Sequence, residues 1–247
     1  MTKVSLIIPA HNEETNIRKV IESCRLQSHE DLEVLIVESQ SKDDTLKIAK
    51  EACHKIRDFK VLALKKGDYA LARNEGAQKA AGEILLFLDA DCEPPIRFLD
   101  EVVQLVNQGT VLGKGQLTPN NSKWRAKFVC AVLNKLPQRG CSATFVTRDF
   151  FESVKPSFKS GIMFPDEEWM GRAIEQLKKT KGTFSFTRQR VKTDMRRFES
   201  KGYLTWLQKW LSTDPAAPAI LKSVSKENEF NDAPKSGGVI DTKRLRK

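Results

Sequence analysis

Residues 83–95 read EILLFLDADCEPP. Residues 84–88 are all apolar, with the length and composition of a strand buried on both faces of a sheet. The run ends at two carboxylates, Asp89 and Asp91, separated only by an alanine. A carboxylate at the end of a buried strand is costly unless something pairs with it. In a continuing strand both side chains point to one side, because side chains repeat with a period of two. Two like charges at that spacing repel, and a divalent cation turns the repulsion into attraction. Hard oxygen ligands suit magnesium or manganese. The competing reading is a turn, with Asp91 capping the segment that follows Pro94-Pro95. Taken alone, the triplet does not choose between them.

Upstream of this run the chain alternates regularly. Residues 4–8 read as a strand, and Ile17, Val20, Ile21 and Cys24 follow at helical spacing. Residues 34–37 form the next strand; Leu46, Ala49, Cys53 and Ile56 mark the next helix, with Asp43 or Asp44 as its cap. A third strand over 61–64 and a third helix over 70–81 lead into 84–88. Strands and helices alternating at this length predict an α/β fold, a parallel, doubly wound sheet with right-handed crossovers. In such sheets the ligand crevice lies beyond the carboxyl ends of the strands. The polar residues there are Pro9-Ala10-His11-Asn12-Glu13-Glu14, Glu38-Ser39-Gln40-Ser41-Lys42-Asp43, Lys65-Lys66-Gly67-Asp68, and Asp89 with Asp91. A rim holding both carboxylates and lysines suits a phosphate ligand bound through a metal.

The composition narrows the possibilities. The 247 residues are 40% hydrophobic and 30% charged, as expected of a soluble globular chain with one large α/β domain or two small ones. No apolar run approaches the roughly 20 residues that span a bilayer. Met1-Thr2-Lys3 leads straight into a strand, leaving no room for a signal peptide. Five cysteines, 24, 53, 92, 130 and 141, show no CxxC spacing and read as reduced thiols of a cytoplasmic protein. The formal charge of +10 is compatible with nucleic acid, an anionic membrane or a phosphate-bearing substrate. No zinc finger, RNA-binding signature or stacking-aromatic series accompanies it, so no nucleic acid is expected. Neither a GxGxxG nor a GxxxxGK(S/T) loop is present, which removes dinucleotide and P-loop readings.

Four stretches, VSLIIPAHNEE, VLIVESQSKDDT, ARNEGAQKAAGEILLFLDAD and FPDEEWMGRA, occur in order over roughly residues 3–200. Together they resemble glycosyltransferase family 2, with its GT-A fold. The resemblance implies one GT-A domain over residues 1–211, a Rossmann-like, mostly parallel sheet flanked by helices. Its nucleotide-sugar half would run to about 110 and a smaller mixed-sheet acceptor half over 111–211. It also implies inverting transfer of a sugar from a nucleoside-diphosphate-sugar, a UDP- or GDP-sugar, to a hydroxyl acceptor, with Mn2+ or Mg2+ as cofactor.

Residue by residue, Pro9, His11 and Glu13 match the family's Pro-x-x-Asn-Glu, which lines the base and ribose. Glu38 stands for the first Asp of an Asp-Asp-Gly-Ser loop, in which Ser39 and Gln40 replace the second Asp and the glycine; Asp43 matches its last acid, where helix capping is an equal explanation. Arg73 would sit at the diphosphate, where a guanidinium holds two oxygens at once, and Lys66 would also meet phosphate. Asp91 would bind the metal directly, with Asp89 on the ribose or reaching the metal through water. Counting back from Arg172 puts Asp166 at the catalytic base and Glu168 at the second acid, on the acceptor side with Trp169. Pro165 replaces the preceding Glu, so Glu167 is the fallback base. The bland reading of these acids is a helix N-terminus favoured by the macrodipole. Arg196 and Arg197 match an Arg-Arg-aromatic segment that approaches the donor phosphates in a subset of similar transferases; a basic loop without that role is the alternative.

Gly76 and Ala77 read as packing residues that let a helix approach the sheet. Tyr203, Leu204, Trp206, Leu207, Trp210 and Leu211 read as an amphipathic helix, packed on the domain or lying on an anionic membrane at the inner face. Residues 212–247 read as a flexible basic tail. Two other readings stay open: a retaining transferase or nucleotidyltransferase on a similar fold, and a non-catalytic module that binds anionic ligands.

Overall fold

The structure is a computed structural model that describes residues 2–138, 142–162, 164–202 and the backbone of 239–240. The helix expected over 203–211 and the tail expected over 212–247 lie outside the described residues, the pair at 239–240 excepted.

The alternation read from the sequence forms as expected. Strand β1 (Val4–Ala10), helix α1 (Ile17–Arg25), β2 (Leu32–Ser39), α2 (Thr45–Cys53), β3 (Phe59–Leu64), α3 (Tyr69–Lys79) and β4 (Ile84–Leu88) follow in order. β1 pairs in parallel with both β2 and β4, and β2 with β3. Their carboxyl ends therefore share one edge. α1 buries Ile17, Val20, Ile21 and Cys24, the four residues its spacing marks. α2 buries Thr45, Ala49 and Cys53 instead of Leu46 and Ile56, so its inward face is rotated by one residue and the helix stops before Ile56. Pro9 sits in β1 opposite Val37. It is tolerated there because β4 leaves β1 after Ile7, so the missing N–H has no ladder partner to lose.

The second half extends the same sheet and makes it mixed. It comprises β5 (Cys92–Glu93), α4 (Phe98–Asn107), β6 (Thr110–Pro119), α5 (Trp124–Leu133), β7 (Ala143–Thr147), α6 (Arg148–Ser153), α7 (Pro165–Leu177), β8 (Thr183–Thr193), α8 (Arg196–Lys201) and β9 (Val239–Ile240). β7 inserts antiparallel between β4 and β6, and β8 runs parallel to β6. Among the described residues the strand order is β3-β2-β1-β4-β7-β6-β8-β5, with β9 beside β8. Helices cover both faces: one core layer includes residues of α1, α2, α4 and α5, the other of α3, α6 and α7. α5 ends three residues before the expected 136, and β7 begins at Ala143 where 141 was expected.

α3 approaches the sheet closely at Gly76. A Cβ there would lie 2.3 Å from Ile7 Cγ2 and 3.2 Å from Val37 Cγ2. The glycine is needed for its lack of volume, as the sequence suggested. At the other end of α3, Asp68 caps the helix by accepting from Leu71 N–H at 3.0 Å.

Candidate active site

The first two strand ends are laced together. His11 donates from Nδ1 to the Ser39 carbonyl at 2.6 Å, which fixes the tautomer with the proton on Nδ1. Asn12 accepts from Lys42 N–H at 2.8 Å and donates its own N–H to Ser41 Oγ at 3.0 Å. Glu13 N–H donates to Thr45 Oγ1 at 2.7 Å. Asn12 and Gln40 have φ of 55° and 56°, a left-handed conformation that Asn adopts more readily than Gln. Gln40 therefore holds the strained position that glycine fills in the resembling loop. Its Oε1 accepts from Gly67 N–H at 3.2 Å and ties the β2 end to the β3 end.

Two acids of these loops, Glu13 and Glu38, are turned inward. Glu38 is buried, and its carboxylate accepts from Ser41 N–H at 2.5 Å. Glu13, 1% exposed, forms an ion pair with Arg196. The Asn16 amide bridges Glu13 at 3.2 Å and Asp194 at 3.1 Å. Burial works to raise the Asp194 carboxyl, but the Arg196 N–H, the Asn16 amide and the Arg196 charge overcome it and hold the group below its ordinary range. Asp43 follows the same balance. Burial opposes ionisation, while the hydroxyl and N–H of Thr45 and the N–H of Glu14 hold its carboxyl low. Asp43 thus caps α2 from two residues before Thr45, and Asp44, at the N-cap position, makes no side-chain cap. Lys66 is exposed and 3.9 Å from Asp68. Arg196 and Arg197 open α8, next to the β1 end.

Asp89 and Asp91 do not share a strand face. β4 ends at Leu88, and Cys92 N–H donates to the Asp89 carbonyl at 3.0 Å, so the two acids flank a turn. The strand-periodicity argument fails here because the pleat ends one residue too early. The turn still leaves both acids at the sheet edge: Asp89 meets Arg73, while Asp91 accepts from Cys92 Sγ at 3.4 Å and its carbonyl accepts from Asp194 N–H at 3.2 Å.

Arg73 is 3% exposed. Its Nη2 lies 2.9 Å from Asp89 Oδ1 and 4.0 Å from Asp166 Oδ2. Its guanidinium carbon sits 5.5 Å from the Tyr69 ring centre and 5.7 Å from that of Phe158. Arg73, expected at the diphosphate, here has its guanidinium between two carboxylates. The neighbouring Asn74 amide donates to Phe158 O at 2.8 Å and accepts from Phe158 N–H at 3.1 Å, anchoring the segment before α7.

α7 begins at Pro165, whose missing N–H costs nothing in a first turn, and carries Asp166, Glu167 and Glu168 in that turn. Asp166, Trp169, Met170 and Ala173 fall on one face at helical spacing, so the residues buried behind Asp166 aim it inward. Trp169 was expected to meet the acceptor. It is instead 1% exposed, packed 5.1 Å from Phe158 and 5.4 Å from Phe151 between ring centres, so it is core. An indole at that helical position is pulled inward by the aromatic cluster around Phe87. Glu168 points elsewhere, to Arg172 at 2.9 Å and Lys159 at 2.7 Å. The hydrogen bond from Arg172 holds its carboxyl below the usual range against burial, with help from Lys159.

A cavity of about 480 Å³ opens between the start of α3 and the segment leading into α7. Asp68, Tyr69, Arg73, Asp89, Lys159 and Asp166 are among its lining residues. The family profile for glycosyl transferase family 2 matches residues 5–155. The chain belongs to glycosyl transferase family 2. The glycosyltransferase AglE of Haloferax volcanii is 32% identical over 188 residues, which are 70% of this chain and 61% of AglE. The chain thus spans less than two thirds of that relative's length.

The S. aureus TarS 1-349 structure in complex with UDP-GlcNAc superposes with a TM-score of 0.65 at 19% identity, over 78% of this chain and 58% of that one. Mannosyltransferase PcManGT from Pyrobaculum calidifontis, in complex with GDP-Man and Mn2+, superposes with a TM-score of 0.64 at 18% identity, over 93% and 70%. These likenesses establish the GT-A fold of the glycosyltransferases. Sequence reasoning placed Asp68 on the rim without a role and missed Asn16, Lys159 and Asp194 as site neighbours. Only Asp68 carried a signal, an Asp directly before a helical run.

Among the described residues, no three His, Cys, Asp or Glu side chains form a metal-binding group. Magnesium is commonly held by one or two carboxylates with substrate phosphates and water completing the shell. Asp91 offers hard oxygens at the sheet edge, across one turn from Asp89, a donor set that fits a cation arriving with a diphosphate.

Proposed function

We propose that this chain moves a sugar from a nucleoside-diphosphate-sugar to a hydroxyl acceptor with inversion, Asp166 acting as general base. The supporting observation is that Arg73 joins Asp89, at the β4 end, to Asp166, at the start of α7, in one cavity. A base must lie within reach of the proton it takes while the donor's anomeric carbon is held beside it. Asp166 lies on the inner face of α7, with Glu167 rotated about 100° from it and Glu168 engaged by Arg172. His11, Asn12 and the Gln40 loop form the side on which the nucleotide lies. Asp91, with Asp89, is where Mn2+ or Mg2+ would be held. When bound, the cation would neutralise charge on the leaving diphosphate. The UDP-GlcNAc of the TarS complex and the GDP-Man and Mn2+ of the PcManGT complex support this reading. No helix of the described residues is long and apolar enough to cross a membrane.

Calorimetry of UDP- and GDP-sugars with and without manganese, followed by transfer assays, tests the assignment. Asp91→Asn is expected to lose manganese-dependent nucleotide binding. Asp166→Asn should keep donor and manganese binding yet transfer about a hundredfold to ten-thousandfold more slowly, and Glu167→Gln should cost far less. Near-normal turnover in Asp166→Asn with a dead Glu167→Gln would move the base by one residue.

A further inference from the structure

Helix α5 buries one face and keeps apolar residues on the other. Ala126, Val129, Cys130 and Leu133 belong to the core layer that α5 shares with α1, α2 and α4. Trp124, Lys127, Phe128, Ala131 and, just past the helix, Lys135 follow at the spacing of the opposite face. Phe128 and Ala131 are half-covered, packed on the small cluster of Val132 and Leu136. Trp124, at the head of this stripe, is 65% exposed, the most exposed large apolar side chain among the described residues.

The charge around the stripe has one sign. No aspartate or glutamate occurs in the sequence between Glu101 and Asp149, whereas Lys123, Arg125, Lys127 and Lys135 surround Trp124 and Phe128. The Arg125 guanidinium carbon lies 5.3 Å from the Trp124 ring centre. Arg125 is exposed and Lys127 half-buried. Positive charge at the start of a helix opposes the helix dipole, so these side chains gain nothing from their own helix. From a neighbouring element, Glu199 of α8 meets Lys123 at 2.8 Å. That contact fixes α8 beside the stripe, and the aromatic stretch 203–211 follows α8 in the sequence.

The start of α5 also stands at the edge of the candidate site. Asn120 N–H donates to the Thr193 carbonyl at 2.9 Å, and Asp194 N–H donates to the Asp91 carbonyl at 3.2 Å. Trp124 therefore lies just beyond the strand ends that carry the candidate cation site.

We infer that the start of α5 docks on an anionic lipid surface, with Trp124 entering the headgroup region and Arg125 and Lys127 meeting lipid phosphates. An indole gains by leaving water at such an interface, and basic side chains are drawn to its negative potential. Charge alone would leave the tryptophan in water, and an uncharged surface would leave the cations without a partner. The edge that carries Asp91 then faces the lipid.

Flotation of the full chain with phosphatidylcholine vesicles, and with vesicles that also carry phosphatidylglycerol, tests the contact. Binding is expected to the anionic vesicles only, and it should weaken as salt rises. Trp124→Ser and, separately, Arg125→Gln with Lys127→Gln should each raise the lipid concentration for half-binding by about tenfold. A chain carrying Trp206→Phe and Trp210→Phe retains Trp124 and the buried Trp169 as its tryptophans. Lipids brominated in their acyl chains should quench its fluorescence, and adding Trp124→Phe should abolish the quenching. This last substitution is conservative, so the readout stands even where Trp124→Ser misfolds. Equal binding to both kinds of vesicle overturns the inference, as does no binding to the anionic vesicles at low salt. So does binding that survives both α5 variants, or a bound chain in which Trp124 is not quenched.

Discussion

Arg73 is a single cation shared by two carboxylates from distant parts of the chain, stacked between Tyr69 and Phe158. Removing one partner of a fully buried ion pair costs about 3–5 kcal/mol, because the remaining charge is left uncompensated. Here the Asp89 and Asp166 side chains keep 20% and 23% of their surface in water, which screens part of that cost. Arg73→Met is therefore expected to destabilise by about 1–3 kcal/mol in urea denaturation. Arg73→Lys keeps the charge but loses the planar fork and the stacking, so it should recover only part of the loss. Turnover should fall further than donor affinity in both. A Met variant as stable as the wild type would show that the bridge contributes nothing. The same residue scale explains Trp169: a motif placed it beside the base, but the aromatic cluster of Phe87, Phe151 and Phe158 took it into the core.

At the scale of elements, the same substitution in two helices is expected to have opposite signs. Gly76 faces Ile7 at a distance no Cβ tolerates and Val37 at a tight one, whereas Gly171 of α7 has nothing within 4 Å of the position a Cβ would take. Gly171→Ala should gain about 0.5–1 kcal/mol from lower backbone entropy in the unfolded chain. Gly76→Ala gains the same term but forces a methyl into the side chain of fully buried Ile7, and overpacking of that kind costs about 1–3 kcal/mol. Paired thermal melts check this; a Gly76→Ala protein more stable than the parent would mean that α3 can slide off the sheet without loss. Because α3 also carries Asp68, Arg73 and Asn74, a shift large enough to admit the methyl would displace the cavity wall.

For the whole molecule, acid should be the weak side. Asp43, Asp68 and Asp194 are held below the ordinary value of 3.8, in each case with burial opposing the shift and hydrogen bonds overcoming it. Glu168 is held below 4.5, first by its bond from Arg172. A carboxyl depressed on folding binds fewer protons in the native state, so its stabilisation is complete above its unfolded value. That stabilisation is lost as pH falls through the folded value. The urea midpoint is expected to be level between about pH 5 and 7 and to fall below about pH 4. Asp194→Asn should flatten the fall, since it removes one of these groups from the junction of β8 with the β1 end. A midpoint that rises in acid would contradict the assignment. The buried thiols add no such dependence near neutrality, because burial lifts Cys24 and Cys130 to about 12 and Cys53 to about 11.

The four parallel strands of the first half, the helices between them and the edge on which the polar residues collect are all legible in the residue spacing. Those features rest on period-two and period-3.6 patterns within a few residues of each other, as in the Ile17, Val20, Ile21 and Cys24 face. The resemblance left Asp166 and Glu167 both open as candidates, and the burial of Trp169, Met170 and Ala173 is what turns Asp166 to the inward face of α7. The folded chain alone shows that β7 enters antiparallel between β4 and β6, that Arg73 joins Asp89 to Asp166, that Asn74 holds Phe158, and that Glu13, Asn16, Asp194 and Arg196 form one cluster. Arg73 is 16 residues from Asp89, Asn74 is 84 from Phe158, and Asn16 is 178 from Asp194, far beyond a helical turn or a strand repeat. Their meeting depends on how the whole chain closes on itself, which local spacing does not encode.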